Sequence, residues 1–414
     1  MRRRTVLASG GAAASAVLLG KGIGSRPRWT HTWTAMPQLT EPHNLPPAPF
    51  TGTDSVLVNT TMRQTLRTTV GGRQLRVRFS NAFGGADLPI TAAAVALPAG
   101  GAAGVAEIRP GTSRPLTFGG HRSVVVPVGA QMVSDPVDMP VAGAANLTVT
   151  TFLAEGQATL ELTSHPGSRT TSWLVHGDAV HETTLAGATP TDHWYLISGV
   201  EVTAVNVAGL VVLGDSLTDG RGSTANGNDR WPDQLLARLR GNDVAVLNQA
   251  AGGNRVLRDG LGPNALSRLD RDVLAVTGAT WLLVFEGVND IGTAEATEAA
   301  QQRVVADLIG AYRQMVLRAH AQDLTVYGAT LTPFGGNIYD DAGGLREQSR
   351  QAVNRAIRGG LFDAYVDFDA AVRDPAQPRR IADAYNTGDN LHLNPAGYAA
   401  LAAAVPRRLL TRNP

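Results

Sequence analysis

The pattern of apolar residues changes near residue 205, and this change constrains the fold more than any other feature of the sequence. After Val205, short apolar runs alternate with longer stretches of helical periodicity. The apolar runs cover residues 209–213, 244–247, 281–285, 324–329 and 364–368, and the helical stretches cover 231–239, 265–275, 295–321 and 345–358. A last helix is expected to start at Pro395, after Asn394 as its N-cap. Strand followed by helix, repeated along the chain, predicts an α/β domain at 206–414 with a doubly wound parallel sheet.

The preceding part of the chain, residues 28–205, has the pattern of an all-β domain. Residues 74–80 alternate between polar and apolar side chains, which predicts a strand with one solvent-facing side. Gly71 and Gly72 separate this run from a threonine-rich run at 59–70, so a hairpin is expected there. Further strands are predicted at 123–128, 146–153, 171–176 and 194–205. Short strands separated by Pro and Gly predict a β-sandwich with a jelly-roll-like arrangement.

Length and composition agree with this division into a β-domain (residues 28–205) and an α/β domain (residues 206–414). A chain of 414 residues is too long for one ordinary domain. The 36 basic and 35 acidic side chains nearly cancel, which gives no reason to expect nucleic acid as a partner. The absence of cysteine excludes disulfides, thiolate nucleophiles and cysteine-ligated metals.

The first 27 residues predict an export signal. The sequence RRTVL at residues 3–7 has the arginine pair and apolar continuation of a twin-arginine signal, and a small apolar stretch follows at 8–20. This stretch is too short and too rich in Gly and Ala to span a membrane. We therefore expect a secreted protein without stable membrane insertion, the alternative being a disordered basic tail.

Polar residues follow the apolar runs where a parallel sheet would place its chemistry. Gly-Asp-Ser-Leu at 214–217 follows the first run, residues 248–254 follow the second, and Glu-Gly-Val-Asn-Asp at 286–290 follows the third. Asp-Asn-Leu-His at 389–392 precedes the last helix. In doubly wound sheets, ligands bind beyond the carboxyl ends of the strands. We therefore expect these four segments to meet.

Together these residue types fit an acyl-transfer site. The Ser216 hydroxyl becomes a nucleophile when His392 removes its proton, and Asp389 would orient the imidazole. The backbone N–H of Ser216, that of a glycine in 248–254 and the Asn289 side-chain amide could hold the oxyanion. We interpret Asp215 and Glu286, by contrast, as structural carboxylates.

Four of these segments resemble the sequence blocks of the SGNH, or GDSL, hydrolases. The blocks match at 214–217, within 248–254, at 287–290 and at 389–392, so the resemblance covers residues 209–411. One departure is Gly252, where many members carry Ser. The nucleophile elbow of α/β-hydrolases does not fit, because Thr218 stands where that motif needs Gly. The resemblance implies a three-layer α/β fold, an esterase or acylhydrolase activity, and Gly253 as the oxyanion glycine.

The sequence therefore predicts an exported serine esterase that hydrolyses short or medium acyl esters, including acyl groups on carbohydrate, through an acyl-enzyme. No metal or organic cofactor is expected, and the substrate would be a small-molecule, polysaccharide or lipid ester. The alternatives are a lipase or lysophospholipase, a glycan-binding protein with an inactive hydrolase domain, and a glycan-cleaving enzyme, which would need a carboxylate pair. The oligomeric state stays open.

The β-domain offers no comparable set of residues. Its histidines, which are His31, His43, His121, His165, His176, His181 and His193, show no metal-site spacing and are interpreted as structural. Trp29, Trp33, Trp173 and Trp194 could line a glycan-binding face, but in a sandwich they more often belong to the core. The β-domain is expected to be an accessory module that binds polymer or closes over the edge of the parallel sheet.

Overall fold

The structure is a computed structural model that describes residues 26–411 apart from residues 240 and 242. The export signal predicted at 1–27 therefore lies outside the described residues, except for residues 26 and 27. Within the described ranges, no helix is both long enough and apolar enough to cross a membrane.

The amino-terminal half consists of short strands in antiparallel sheets. The strands are β1 (Arg28–Thr34), β2 (Gln38–Leu39), β3 (Thr60–Arg67), β4 (Gly72–Ser80), β5 (Leu88–Ile90), β6 (Ala92–Ala96), β7 (Arg114–Pro115), β8 (Val124–Val126), β9 (Gln131–Val133), β10 (Val137–Val141), β11 (Asn146–Leu153), β12 (Thr163–His165), β13 (Ser172–His176), β14 (Thr189–Thr191), β15 (Trp194–Tyr195) and β16 (Ile197–Ala204). One large sheet has the order β1-β16-β4-β10, with β9 also paired to β4, and the other has the order β14-β13-β3-β11-β6-β7. The smaller sheets are β15-β12-β2 and β5-β8.

The two large sheets share one apolar core. Along β4, Leu75, Val77 and Phe79 are fully buried, while the side chains between them are partly exposed. Met62 on β3 and Val149 on β11 belong to the same core from the other sheet. Two antiparallel sheets that pack their apolar faces against each other define a β-sandwich. The all-β prediction for this half is confirmed.

Two of the four tryptophans of the β-domain lie in its core. Trp33 and Trp194 are buried and pack edge to face, with ring centroids 4.9 Å apart. The Arg76 guanidinium lies 4.4 Å from the ring centroid of Trp29. The indole N–H of Trp173 donates to the backbone carbonyl of Gly104 at 2.9 Å. The core interpretation of Trp33 and Trp194 is therefore confirmed.

The hairpin predicted around Gly71 and Gly72 is wrong. β3 pairs with β11 and β13, whereas β4 pairs with β16, β10 and β9, so the two strands lie in different sheets. A tight hairpin needs positive φ in its turn, and neither glycine has it. Instead, the chain between β3 and β4 forms hydrogen bonds with other segments. The Thr68 N–H donates to Ala145 O and the Thr69 N–H donates to Thr32 O, both at 2.8 Å.

The carboxy-terminal half alternates strands and helices. The strands are β17 (Ala208–Gly214), β18 (Val244–Asn248), β19 (Ala279–Phe285), β20 (Thr325–Ala329) and β21 (Ala364–Val366). The helices are α1 (Ser216–Asp219), α2 (Trp231–Arg238), α3 (Ala265–Leu269), α4 (Val288–Thr293), α5 (Glu298–His320), α6 (Leu345–Ala356), α7 (Phe368–Val372) and α8 (Pro395–Ala404). The sequence pattern did not predict α1, α4 and α7, which are too short to show a helical period.

The strands form one parallel sheet in the order β18-β17-β19-β20-β21. β18 lies on one side of β17, whereas β19, β20 and β21 follow one another on its other side. The direction in which strands are added therefore reverses at β17. Helices α2 and α7 pack on α8, whereas α3, α4 and α6 pack on α5 or on one another. These two groups of helices flank the sheet, and the prediction of a doubly wound, three-layer α/β fold is confirmed. The reversal point lies at β17, which leads directly into Ser216.

Polar contacts join the two halves of the chain. The His31 N–H donates to Thr277 O at 3.0 Å, and the Thr34 hydroxyl donates to Asn248 O at 3.0 Å. The Thr277 hydroxyl donates to the buried Glu201 carboxylate at 2.6 Å. The β-sandwich is therefore bonded to the edge of the α/β half rather than tethered to it by a linker alone.

Candidate active site

Ser216 begins α1 immediately after β17. Asp215 caps this helix, because its carboxylate accepts the N–H of Leu217 at 2.9 Å. Gly214 turns the chain in a space that admits no side chain, since a Cβ there would lie 2.6 Å from Thr218 Oγ1. The short apolar strand, the glycine and the acidic cap together place the Ser216 side chain at the carboxyl edge of the sheet.

Two hydrogen bonds connect three of the predicted site residues. Ser216 Oγ lies 2.8 Å from His392 Nε2, and His392 Nδ1 lies 2.6 Å from Asp389 Oδ2. The other carboxylate oxygen of Asp389 accepts the N–H groups of Leu391 and His392 at 3.0 and 2.8 Å. With Nδ1–H donating to the carboxylate, Nε2 accepts the serine hydroxyl, and this assignment of hydrogens satisfies every group in the chain of bonds.

The electrostatics of this chain of bonds favour a neutral imidazole beside an ionised carboxylate. Burial lowers the pKa of His392, Asp389 opposes this shift, and the nearby Arg221 and Arg169 add to it. Burial alone would raise the pKa of Asp389, but the hydrogen bonds from His392 and from the backbone hold it below its usual value. Neutral His392 can take a proton at neutral pH, and ionised Asp389 can stabilise the resulting imidazolium.

The two other predicted residues lie beside Ser216. Gly253, in the turn after β18, has φ +70°, and a Cβ there would lie 2.5 Å from Leu261 Cδ1. Asn289, at the start of α4, donates one side-chain N–H to Asn254 O at 2.8 Å and accepts the Tyr339 hydroxyl at 2.9 Å. These bonds fix which end of the amide is nitrogen and leave one N–H of Asn289 free to bind a ligand.

A cavity of about 450 Å³ contains Ser216, His392, Gly253 and Asn289. The α/β half also contributes Asp219, Arg221, Gly252, Leu261, Tyr339 and Leu391 to its lining. The β-sandwich contributes the opposite wall, which consists of Gln38, Glu41, His43, Asn44, His165, Pro166, Gly167, Arg169 and His193. Most of the lining residues carry polar side chains, and both halves of the chain contribute to the lining.

The interpretation of the β-domain histidines as structural is incomplete. His43, His165 and His193 lie in the wall of this cavity, and His165 bonds to Asp219 of α1. No periodicity or motif in the β-domain could have identified them, because only tertiary packing brings them to Ser216. Within the described ranges, no group of three or more His, Asp or Glu side chains is arranged to hold a metal ion.

A buried arginine supports the loop that carries Gly253. Arg268 is almost fully buried and donates to Gln249 O at 2.6 Å and to Asn254 Oδ1 at 2.8 and 3.0 Å. The Asp290 carboxylate accepts the backbone N–H groups of Val256 and Leu257, which follow this loop in the chain. The i,i+4 spacing of Arg268 and Asp272 within a predicted helix was the available sequence signal for a buried ion pair.

Glu286 and Asp215 lie behind the cavity, not in its lining. Burial raises the pKa of Glu286 to about 8, which the Arg268 guanidinium at 3.6 Å partly opposes. Burial raises the pKa of Asp215 to about 7, against the hydrogen bond from Leu217. Their burial behind the sheet edge fits the structural roles expected of both carboxylates.

The sequence model of the GDSL-like lipase/acylhydrolase family matches residues 212–400. No curated protein matches the chain. Among solved structures, a GDSL-like lipase from Bacteroides thetaiotaomicron is 17% identical, with a TM-score of 0.35, over 49% of this chain and 87% of that chain. An acetylxylan esterase from Geobacillus stearothermophilus is 20% identical, with a TM-score of 0.37, over 50% of this chain and 97% of that chain.

Proposed function

We propose that this chain hydrolyses carboxylic esters through an acyl-enzyme on Ser216, which is supported by the match of residues 212–400 to the model of the GDSL-like lipase/acylhydrolase family. The observation that carries the proposal is the pair of hydrogen bonds, 2.8 and 2.6 Å long, from Ser216 through His392 to Asp389. An inert domain of the same family would have no need to keep a serine, a base and an orienting carboxylate in this geometry.

In the acylation step, His392 Nε2 takes the proton of the Ser216 hydroxyl while Oγ attacks the ester carbonyl carbon. The imidazolium, stabilised by Asp389, then passes this proton to the oxygen of the leaving alcohol as the tetrahedral intermediate collapses. In deacylation, His392 takes a proton from water, and the hydroxide attacks the acyl-enzyme. His392 then returns the proton to Ser216 Oγ, and the carboxylic acid leaves.

Three donors would hold the negative oxygen of the tetrahedral intermediate. They are the backbone N–H groups of Ser216 and Gly253 and the free side-chain N–H of Asn289. In the described part of the chain, no recorded hydrogen bond engages the N–H of Ser216 or of Gly253. Loss of one such donor typically costs about 3–4 kcal/mol of transition-state stabilisation.

The lining of the cavity favours an ester with a short acyl group and a polar alcohol. Its apolar side chains in the described lining are Pro166, Leu261 and Leu391, which is too little surface for a long acyl chain. The opposite wall presents carboxylate, amide, imidazole and guanidinium groups, which suit the hydroxyls of a carbohydrate. An acyl ester of a carbohydrate is therefore the substrate class that we favour.

A lipid ester is the second candidate, because apolar side chains stand exposed around the cavity. Leu261 lines it and is 49% exposed, while Ile338 and Leu39 adjoin the lining residues Tyr339 and Gln38 and are 88% and 45% exposed. These side chains could contact the acyl chain of a lipid outside the cavity.

We further propose export through the twin-arginine signal at 1–27, which the sequence RRTVL at residues 3–7 supports.

The test is hydrolysis of p-nitrophenyl esters of increasing acyl length, together with acetylated oligosaccharides and phospholipid, by the full chain and by Ser216→Ala. The full chain should hydrolyse short acyl esters fastest, and Ser216→Ala should fold normally and lose at least about 1,000-fold in kcat. A Ser216→Ala variant with near wild-type turnover would contradict the mechanism. Fastest hydrolysis of phospholipid would replace the carbohydrate ester with the lipid ester as substrate.

A further inference from the structure

Asp219 ends the short helix that Ser216 begins, and its side chain crosses to the β-sandwich. The carboxylate is buried, and its Oδ1 lies 3.0 Å from His165 Nε2. On the backbone, the Asp219 N–H donates to Asp215 O at 2.8 Å, and the Arg221 N–H donates to Ser216 O at 3.0 Å. Because these bonds tie Asp219 to the turn that carries Ser216, a shift of Asp219 moves the nucleophile as well.

His165 is held on both of its ring nitrogens. Nδ1 lies 3.0 Å from Met36 O, and Nε2 faces the Asp219 carboxylate. Met36 O and the Asp219 carboxylate are both acceptors, and together they hold the His165 ring from its two sides. The ring also stacks on buried Trp194, with centroids 5.8 Å apart, which fixes its orientation.

Gly167 brings the backbone of the β-sandwich directly against the same carboxylate. A Cβ at Gly167 would lie 1.8 Å from Asp219 Oδ2, so no other residue fits without moving Asp219. The chain beyond it is also held, because Asn226 donates its backbone N–H to Arg169 O at 2.9 Å and accepts the Thr171 N–H on its side chain at 2.8 Å. The segment 165–171 is thus bonded to the α/β half on both sides of the contact.

Asp219 does not serve as the acid that orients the base. That place is taken by Asp389, which lies 2.6 Å from His392 Nδ1. The Arg169 guanidinium is also near Asp219, but its nitrogen is 4.0 Å from Oδ2, beyond hydrogen-bond distance. The direct partner of Asp219 is therefore His165, a residue of the other domain.

We propose that the segment 165–169 of the β-sandwich positions Ser216 through Asp219, with His165 and Gly167 as positioning residues for the reaction. This inference rests on the proposed function, because it assigns these residues to the same nucleophile. The β-sandwich is then part of the catalytic unit and not a separate binding module.

The test compares Gly167→Ala, His165→Leu and His165→Gln in the full chain, with Ser216→Ala as the inactive reference. Gly310→Ala is the matched control, because a Cβ at Gly310 meets no atom within 4 Å. For each variant, kcat and KM for p-nitrophenyl acetate are measured beside the midpoint of thermal unfolding, with rates divided by the concentration of folded protein. Gly167→Ala removes no polar group, so it tests position alone.

Gly167→Ala and His165→Leu should lower kcat about tenfold or more and leave KM within about twofold, since a misplacement of ~1 Å can cost on the order of 100-fold in rate. His165→Gln, which keeps an N–H donor near the Nε2 position, should recover part of the loss, and Gly310→Ala should match the wild type. If His165→Leu does not fold, the kcat values of Gly167→Ala and His165→Gln test the proposal instead.

Wild-type kcat in folded Gly167→Ala and His165→Leu would overturn the inference, and so would a rise in KM at unchanged kcat, which would assign the segment to substrate binding. Failure of the proposed function has a different signature. In that case the wild type does not hydrolyse the ester, or Ser216→Ala still does.

Discussion

Tyr339 orients the Asn289 amide from the side opposite Asn254. Its hydroxyl donates to Asn289 Oδ1 at 2.9 Å, while Asn289 Nδ2 donates to Asn254 O at 2.8 Å. Burial raises the pKa of Tyr339, so the phenol keeps the proton that it donates. Reversing the amide would set the Asn289 oxygen against the Asn254 carbonyl oxygen, which is unfavourable. The second N–H of Asn289, a residue that lines the cavity, is thereby left free to bind a ligand.

Tyr339→Phe should lower kcat about tenfold with little change in KM, because losing one hydrogen bond of about 1–1.5 kcal/mol loosens the Asn289 donor that the proposed mechanism uses mainly in the transition state. Steady-state kinetics on p-nitrophenyl acetate measure this effect. Tyr365→Phe, at a 44% exposed position on β21, is the matched control and should leave both constants unchanged. An unaltered kcat in Tyr339→Phe would show that Asn254 alone orients Asn289.

At the scale of elements, the connection from β17 to α1 depends on close packing at Gly214. A Cβ there would lie 2.6 Å from Thr218 Oγ1 and 3.0 Å from Phe285 O. Gly214→Ala should destabilise the fold by about 1–3 kcal/mol, the usual cost of overpacking, and lower kcat by displacing Ser216.

Urea unfolding measures the change in stability of Gly214→Ala, and esterase assays measure the change in kcat. Gly359→Ala, where a Cβ meets nothing within 4 Å, should change neither, and an unchanged stability in Gly214→Ala would contradict the packing argument.

The parallel sheet and its strand ends were predictable because the signals are local. An apolar run followed by Gly214 and Ser216, or by Asn289, predicts a strand, a turn and a polar side chain within a few positions of each other. The position of Asp389 relative to His392 is equally local, and the structure has them in direct contact. These residues could therefore be found without knowledge of the three-dimensional fold.

The sequence does not show which strands pair or which distant segments meet. Gly71-Gly72 indicates a turn, but it does not say that the flanking strands enter different sheets. His165 and Tyr339 reach the cavity from segments with no periodic pattern, and their contacts with Asp219 and Asn289 span 54 and 50 positions. Such pairings follow from packing of the whole chain, so only the structure reveals them.

For the whole molecule, the contact between the two halves carries a buried histidine. His31 Nδ1 accepts the Thr277 N–H at 3.0 Å and lies 3.5 Å from the Glu201 carboxylate. Burial lowers the pKa of His31 to about 4, against the opposing effect of Glu201 and with a further lowering by Arg78. Protonation of Nδ1 would remove the acceptor for Thr277 and leave a charge buried between the halves.

His31 should therefore make the free energy of unfolding depend on pH. In the unfolded chain its pKa is about 6.5, so between about pH 6.5 and 4 the unfolded state binds more protons than the folded state. Its contribution to stability is present above pH 6.5 and is lost as the pH falls through this window. Between pH 7 and 5 the loss should be about 2 kcal/mol.

His31→Asn keeps an acceptor for the Thr277 N–H but does not titrate, so its unfolding free energy should fall about 2 kcal/mol less than that of the wild type between pH 7 and 5. Urea unfolding at the two pH values measures this difference, and His121→Asn, at an exposed position of the β-sandwich, should behave as the wild type does. Equal losses in His31→Asn and the wild type would mean that His31 takes up its proton without disturbing the contact with Thr277. A reduced loss would identify this contact between the halves as a site where acid weakens the molecule.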